Sequence, residues 1–216
     1  MNDAPSTVGL IIFMTALGLL PFIIVTMTAF LKISVVMFIV RNAIGLQQTP
    51  PTLVLYSIAL ILTVFVSLPL AEDISNRLSA RPLDFSSLEK LQASANVVKE
   101  PVKAHLMRYA KPGEREFFLS ATARIWPPET RANVKDDDFI ILLPSFVSSE
   151  LTRAFEIGFL LFLPFLVIDI IVSNILMAMG MMMVSPTLIS LPLKLFLFVA
   201  VDGWSRLMHG LILSYG

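Results

Sequence analysis

Ile157-Gly158-Phe159-Leu160-Leu161-Phe162-Leu163-Pro164-Phe165-Leu166-Val167-Ile168-Asp169 opens a stretch, Ile157 to Val201, in which Asp169 and Lys194 are the only charged residues. A spanning helix needs roughly 20 apolar residues, so the stretch has room for two. Their divide falls at Gly180 through Pro186, where glycine and proline together interrupt a helix. The turn so made carries Met177-Ala178-Met179-Gly180-Met181-Met182-Met183, which holds five of the chain's eleven methionines. Methionine is unbranched and polarisable, so the cluster reads in two ways. It is apolar filler in a membrane helix, or it is a soft seal that shuts a pore by dewetting.

Outward from this hairpin the chain is apolar again. Val8 to Leu31 is uncharged and runs on through Lys32 to Val40, and Leu53 to Ala71 is a second uncharged run that ends near Pro69. Between them lies Arg41-Asn42-Ala43-Ile44-Gly45-Leu46-Gln47-Gln48-Thr49-Pro50-Pro51. Its Gly45 and paired Pro50 and Pro51, with Gln47 and Gln48 between, predict a turn. Residues 1–71 therefore read as an N-terminal hydrophobic helical hairpin and 139–216 as a C-terminal one. Lys32 and Arg41 put the first turn on the cytoplasmic side by the positive-inside bias. Met1 to Gly9 holds Asp3 and no Lys or Arg, and no small-residue cleavage site follows, so the segment is expected to be retained rather than removed as a signal.

Residues 72–138 differ in kind, with 22 of the 32 charged residues, eleven acidic and eleven basic. They read as a water-facing helical module on the periplasmic side of a bacterial membrane. Ser86-Ser87-Leu88-Glu89 has the form of a capping box, and Lys111-Pro112-Gly113 and Trp126-Pro127-Pro128 divide the module into short helices. With 56% hydrophobic and 15% charged residues overall, the chain is too apolar for a soluble domain of its size. The apolar runs do not alternate strictly, which argues against a β-barrel. The expected fold is an all-α membrane protein, with helical hairpins and a small periplasmic helical insertion between the second and third hydrophobic segments.

Composition also excludes function classes. The formal net charge is zero and no basic stripe stands out, so nucleic acid is not an expected partner. The chain has no cysteine, which removes disulfides, iron-sulfur clusters and thiolate metal sites. No phosphate-binding glycine loop, HExxH helix or GxSxG elbow is present, so no catalytic, cofactor-binding or metal site is expected and the chain is not read as an enzyme. His105, in a charged helix, reads as a solvated surface residue.

Six of the charged residues that interrupt the last apolar region stand out. Glu150, Arg153 and Glu156 follow at helical spacing. Asp169, Lys194 and Asp202 lie deeper, where an unpaired charge costs about 2.5–3.5 kcal/mol on insertion scales. All six are candidates for buried or inter-subunit charge, and Lys194 is expected to pair with Glu150, across the final hairpin or between protomers. A static ion pair and a proton-carrying role both remain open. Pro21, Pro164, Pro186 and Pro192 free backbone groups that lipid cannot satisfy, so these segments are expected to pack against other protein.

On these residues the chain resembles the FliP/SctR family, the export-gate membrane proteins of flagellar and virulence type III secretion. The resemblance rests on Arg41 through Pro51, Ser149-Glu150-Leu151 with Gly158 through Asp169, Met179 through Met183, Ser190-Leu191-Pro192-Leu193-Lys194, and Val201-Asp202-Gly203-Trp204. It implies a pentameric ring in the bacterial inner membrane, joined by two smaller export-gate proteins of the SctS (FliQ-like) and SctT (FliR-like) types, other membrane components of the apparatus, and unfolded secreted substrates. It implies that the methionine loop gates the pore, with Met181, Met182 and Met183 at the matching positions and Met177 and Met179 as gate candidates from the same cluster, and that Glu150 and Lys194 hold subunits together. It also implies that the assembled complex sits largely above the membrane plane. The short leader before the first apolar segment favours the virulence, or injectisome, branch. Two other readings stand beside the gated channel: an ion-coupled transporter using Glu156, Asp169 or Asp202, and an assembly nucleator that conducts nothing.

Overall fold

The computed structural model describes residues 7–46, 48–80 and 88–216. Gln47 of the first turn and Ser86 and Ser87 of the expected capping box lie outside the described residues. Among the described residues there are nine α-helices and no strand: α1 (Thr7–Met27), α2 (Phe30–Ile44), α3 (Thr52–Ala80), α4 (Leu88–Tyr109), α5 (Pro112–Ile125), α6 (Pro128–Arg131), α7 (Phe139–Ala178), α8 (Pro186–Ala200) and α9 (Gly203–Leu213). The all-α membrane fold expected from composition is the observed one. α3 and α7 are each long and apolar enough to cross a bilayer, and two bent pairs, Pro21–Met27 with Phe30–Ile44 and Pro186–Ala200 with Gly203–Leu213, meet the same test only when each pair counts as one span.

Proline and glycine place most of the boundaries. Pro112, Pro128 and Pro186 each occupy the first turn of a helix, where the missing N–H is no loss. The breaks at Lys111-Pro112 and Trp126-Pro127-Pro128 fall where expected. Pro69 does not end α3, which runs on to Ala80, nine residues past the expected limit of Ala71. A proline inside a helix removes one hydrogen bond and need not stop it. The polar extension is held in part by Arg77 Nε, which donates to Asp73 Oδ1 at 2.9 Å one turn back. Two breaks were not anticipated. One, at Thr28 and Ala29, separates α1 from α2, and there the Thr28 hydroxyl accepts the Phe30 N–H at 3.4 Å. The other, at Val201 and Asp202, bends α8 from α9 by 61°.

The chain divides into two compact units, Met1–Leu31 with Ser67–Glu150, and Lys32–Val66 with Leu151–Gly216. In the first, Leu106 and Ala110 of α4 pack with Leu142 and Phe146 of α7, flanked by Val102, Tyr109 and Phe139. The spacing of four along each helix is that of one apolar face. Burying a Leu or Phe of this kind contributes about 1.5–3 kcal/mol. Where α4 ends, the Lys111 N–H donates to Ser149 Oγ at 2.8 Å, and that hydroxyl in turn donates to Ser145 O at 2.6 Å, which ties the α4–α5 corner to α7. Lys103 of α4 pairs with Asp137 just before α7 at 2.5 Å, which holds the Asp137 carboxyl below and the Lys103 amine above their usual ranges.

In the second unit the buried residues form narrow stripes: Val36, Val40 and Ala43 on α2, Leu55, Ala59 and Leu62 on α3, and Ser190, Lys194 and Phe198 on α8. α7 contributes Ala154, Phe165, Val172 and Leu176. Gly158 of α7 sits against α2 so closely that a Cβ there would lie 2.5 Å from Ile39 Cδ1. The opposite face of α7, including Phe159, Leu160, Val167, Ile170 and Ile175, is exposed on the single chain. A stripe buried on one side and greasy on the other fits a helix that faces lipid or other protein.

Candidate functional site

The tip of the α7–α8 hairpin carries the methionines. α7 ends by a Schellman motif: Gly180, at φ 74°, donates its N–H to Met177 O at 3.0 Å, and the Met181 N–H reaches Leu176 O at 2.9 Å. The left-handed conformation is cheap for glycine and strained for other residues, so Gly180 fixes where the helix stops. The chain then turns from Met181 to Val184, closed by Val184 N–H to Met181 O at 3.2 Å, before Pro186 starts α8. Met177, Met179, Met181, Met182 and Met183 are all exposed, Met182 at 82% and Met183 fully. Met177, at the end of α7, and Met179, Met181, Met182 and Met183 beyond it are thus held out around a short, hydrogen-bonded turn.

Below the tip, Lys194 of α8 is buried and its Nζ donates to Asp169 Oδ2 of α7 at 2.6 Å and to Ala43 O, at the end of α2, at 3.2 Å. The carboxylate opposite Lys194 is therefore Asp169, where the sequence reading put Glu150. A signal for this was present. Asp169 precedes Met181 by twelve residues and Lys194 follows Met182 by twelve, and residues equidistant from the tip of an antiparallel hairpin lie level with each other. Of the other charged candidates, Glu150 is fully buried, Arg153 half-buried, and Glu156 and Asp202 exposed. Asp202 forms the hinge between α8 and α9 with a left-handed backbone, φ 54°.

The first turn is built by the same device. Gly45 has φ 91°, its N–H donates to Asn42 O at 3.0 Å, and the Leu46 N–H reaches Arg41 O at 3.2 Å. Arg41 crosses the turn, donating to Thr52 Oγ1 at 3.2 Å and to Pro50 O at 3.5 Å while its guanidinium lies over the Phe38 ring. The Thr49-Pro50 bond is cis. α8 approaches this turn closely, with Leu191 Cδ1 3.2 Å from where a Cβ on Gly45 would stand. Gln48 and Pro51 are exposed at the surface of the turn.

Two placements were missed. Lys32, counted above as an orienting charge, is buried, with its Nζ 3.4 Å from the centre of the Tyr215 ring near the C-terminus. The positive-inside argument for the first turn then rests on Arg41. His105 is not a solvated surface residue: it is half-buried, with ring contacts to Tyr109 at 5.0 Å and Phe146 at 6.1 Å, and its Nε2 is buried without a hydrogen-bond partner. Desolvation pushes its pKa down, aided by Arg108 and opposed by the charge of Glu150.

The chain matches the FliP family model over residues 13–211. It is 57% identical over 211 residues to the probable translocation protein y4yL of Sinorhizobium fredii, covering 98% of this chain and 95% of that one. It is 45% identical over 216 residues to Yop proteins translocation protein R of Yersinia pestis, end to end on both chains. It is also 39% identical over 215 residues to virulence protein YscR of Salmonella typhimurium, covering all of this chain and 99% of the other. A match of this length, carried through the first turn, the charged hairpin and the methionine tip alike, makes this chain a member of the FliP family.

Proposed function

We propose that this chain is a core subunit of a type III secretion export gate in the bacterial inner membrane. Several copies form a ring, taken as a pentamer, through which unfolded polypeptides pass. SctS-like and SctT-like proteins complete the channel. The reading is supported by the family, and by relatives named for translocation.

One observation carries the gate: Met181, Met182 and Met183 stand exposed on a turn whose backbone is pinned by Gly180 and Pro186. Brought together around an axis, such side chains close a dewetted constriction, yet they deform around whatever polypeptide is driven through. Residues 72–138 face the periplasm in this reading. Lys194, buried and bound to Asp169 and the Ala43 carbonyl of its own chain, stiffens the α7–α8 wall of the ring from within, and Glu150, fully buried, likewise acts inside its own chain.

A photoreactive amino acid in place of Met183, in cells where a secreted substrate is stalled in transit, tests this directly. The expected result is a crosslink between substrate and turn. Crosslinks only to lipid, with the substrate trapped elsewhere in the same complex, would leave the chain a scaffold or nucleator.

A further inference from the structure

We infer that the cavity between α7, α8 and α9 holds one acyl chain of an anionic glycerophospholipid, with the lipid phosphate on Arg206. The cavity has a volume of about 580 Å³ and is walled by Leu161, Phe165, Phe198 and Leu211, with Arg206 and Ser214 as its only polar lining residues. That size and lining are typical of sites for small amphiphilic molecules.

Water is a poor occupant. A buried water needs two to four polar partners, and the Ser214 hydroxyl is already donated to Leu211 O at 2.7 Å. A neighbouring protein segment is the competing occupant, and the absence, among the described residues, of any acidic lining residue to meet Arg206 from inside the chain favours an anionic head group there. An extended hydrocarbon chain enters such a space without filling it with backbone.

The walls are preformed. Phe198 is held edge-on by Trp204 at 5.2 Å and lies 6.2 Å from Phe165. A Cβ on Gly203 would come within 2.3 Å of the Phe198 ring, so that glycine lets the ring seat against the start of α9. Gly210 also lines the cavity, yet a Cβ there would meet nothing within 4 Å. Packing does not require glycine at 210. Its effect is to leave the cavity open.

The cation selects the head group. Arg206 is exposed, and among the described residues no hydrogen bond or ion pair engages its guanidinium. A planar fork of donors beside an apolar slot matches a phosphate diester with a tail attached. Basic residues between membrane helices favour anionic over neutral lipids on this ground. The inference is independent of the methionine gate.

The test uses the full chain in its assembled complex, delipidated in neutral detergent. It is titrated with phosphatidylglycerol or phosphatidylcholine in mixed micelles, and retained lipid is counted by native mass spectrometry. Phosphatidylglycerol should be retained about five-fold more tightly than phosphatidylcholine, the preference one surface cation confers. Arg206→Gln should erase the preference, Arg206→Lys should keep most of it, and Gly210→Leu should expel both lipids. Equal retention of the two lipids by the unaltered chain would overturn the inference. So would unchanged retention in Gly210→Leu, or a high-yield crosslink to a neighbouring subunit from a photoreactive amino acid in place of Gly210. Arg206→Gln alters one exposed side chain, so its result stands even if the leucine variant misfolds.

Discussion

Lys194 Nζ lies 2.6 Å from Asp169 Oδ2, joining two helices on either side of the methionine turn, each partner twelve residues from the tip. The two ends of this pair are not equally wet. Lys194 is 7% exposed at its side chain and Asp169 is 38% exposed. A half-hydrated carboxylate that loses its partner turns to solvent, while a buried ammonium that loses its carboxylate keeps only the Ala43 carbonyl.

The substitutions should therefore be asymmetric. Asp169→Ala is expected to destabilise the chain by about 2–4 kcal/mol and Lys194→Met by about 1–2 kcal/mol. The double variant should be less damaged than the sum, with a coupling of about 0.5–3 kcal/mol. Thermal unfolding in detergent measures all three. Equal losses for the two single variants would mean that the burial difference does not matter.

Gly158 gives a steric test of the α2–α7 contact. An alanine Cβ would stand 2.5, 3.0 and 3.2 Å from Cδ1, Cγ2 and Cβ of Ile39, and one rotation cannot clear all three. Gly158→Ala should cost about 1–3 kcal/mol from overpacking, although alanine is the better helix former. Ile39→Ala, which removes the two nearest atoms, should restore part of that loss in the double variant. A stabilised Gly158→Ala single variant would show that α2 is free to move away.

Much of this arrangement was legible in the sequence, and the exceptions have physical reasons. Gly180 with Pro186, and Gly45 with Pro50 and Pro51, mark the two turns because left-handed φ and a missing N–H are written in residue type. The hinge at Asp202 had a signal that was passed over: Asp202-Gly203 is a dipeptide that marks turns, but it lies in an apolar run with no proline beside it to force a break. Pro69 misled in the other direction, since a long helix absorbs one lost hydrogen bond. The partner of Lys194 required counting from the turn as well as a search for opposite charge. The burial of Lys32 beneath Tyr215 joins residues far apart in sequence, and no local pattern encodes it.

His105 makes stability depend on pH. Its native pKa lies below the ordinary 6.5, chiefly through desolvation beside Phe146 and Tyr109, with the nearby Glu150 charge pulling the other way and Arg108 adding to the depression. In the window below 6.5 the unfolded chain binds the proton more readily than the native one. Stability is therefore full above that value and falls as the pH is lowered, by less than about 1.4 kcal/mol per unit for one group. His105→Phe keeps an aromatic ring in place and should flatten the profile between about pH 7 and 5. Chemical denaturation across that range reads the slope. An unchanged slope in the variant would assign the acid sensitivity to carboxylates instead.

The central claim is that exposed methionines on a pinned turn close a conduit. It is met most directly by the ion conductance of the assembled complex in a planar bilayer, without substrate, for the unaltered chain and for Met181→Ala, Met182→Ala and Met183→Ala combined. The account predicts a closed complex that becomes leaky in the triple variant, with subunit assembly unchanged because these side chains project from the chain's own packing. A triple variant that assembles normally and stays as impermeable as the parent would contradict it.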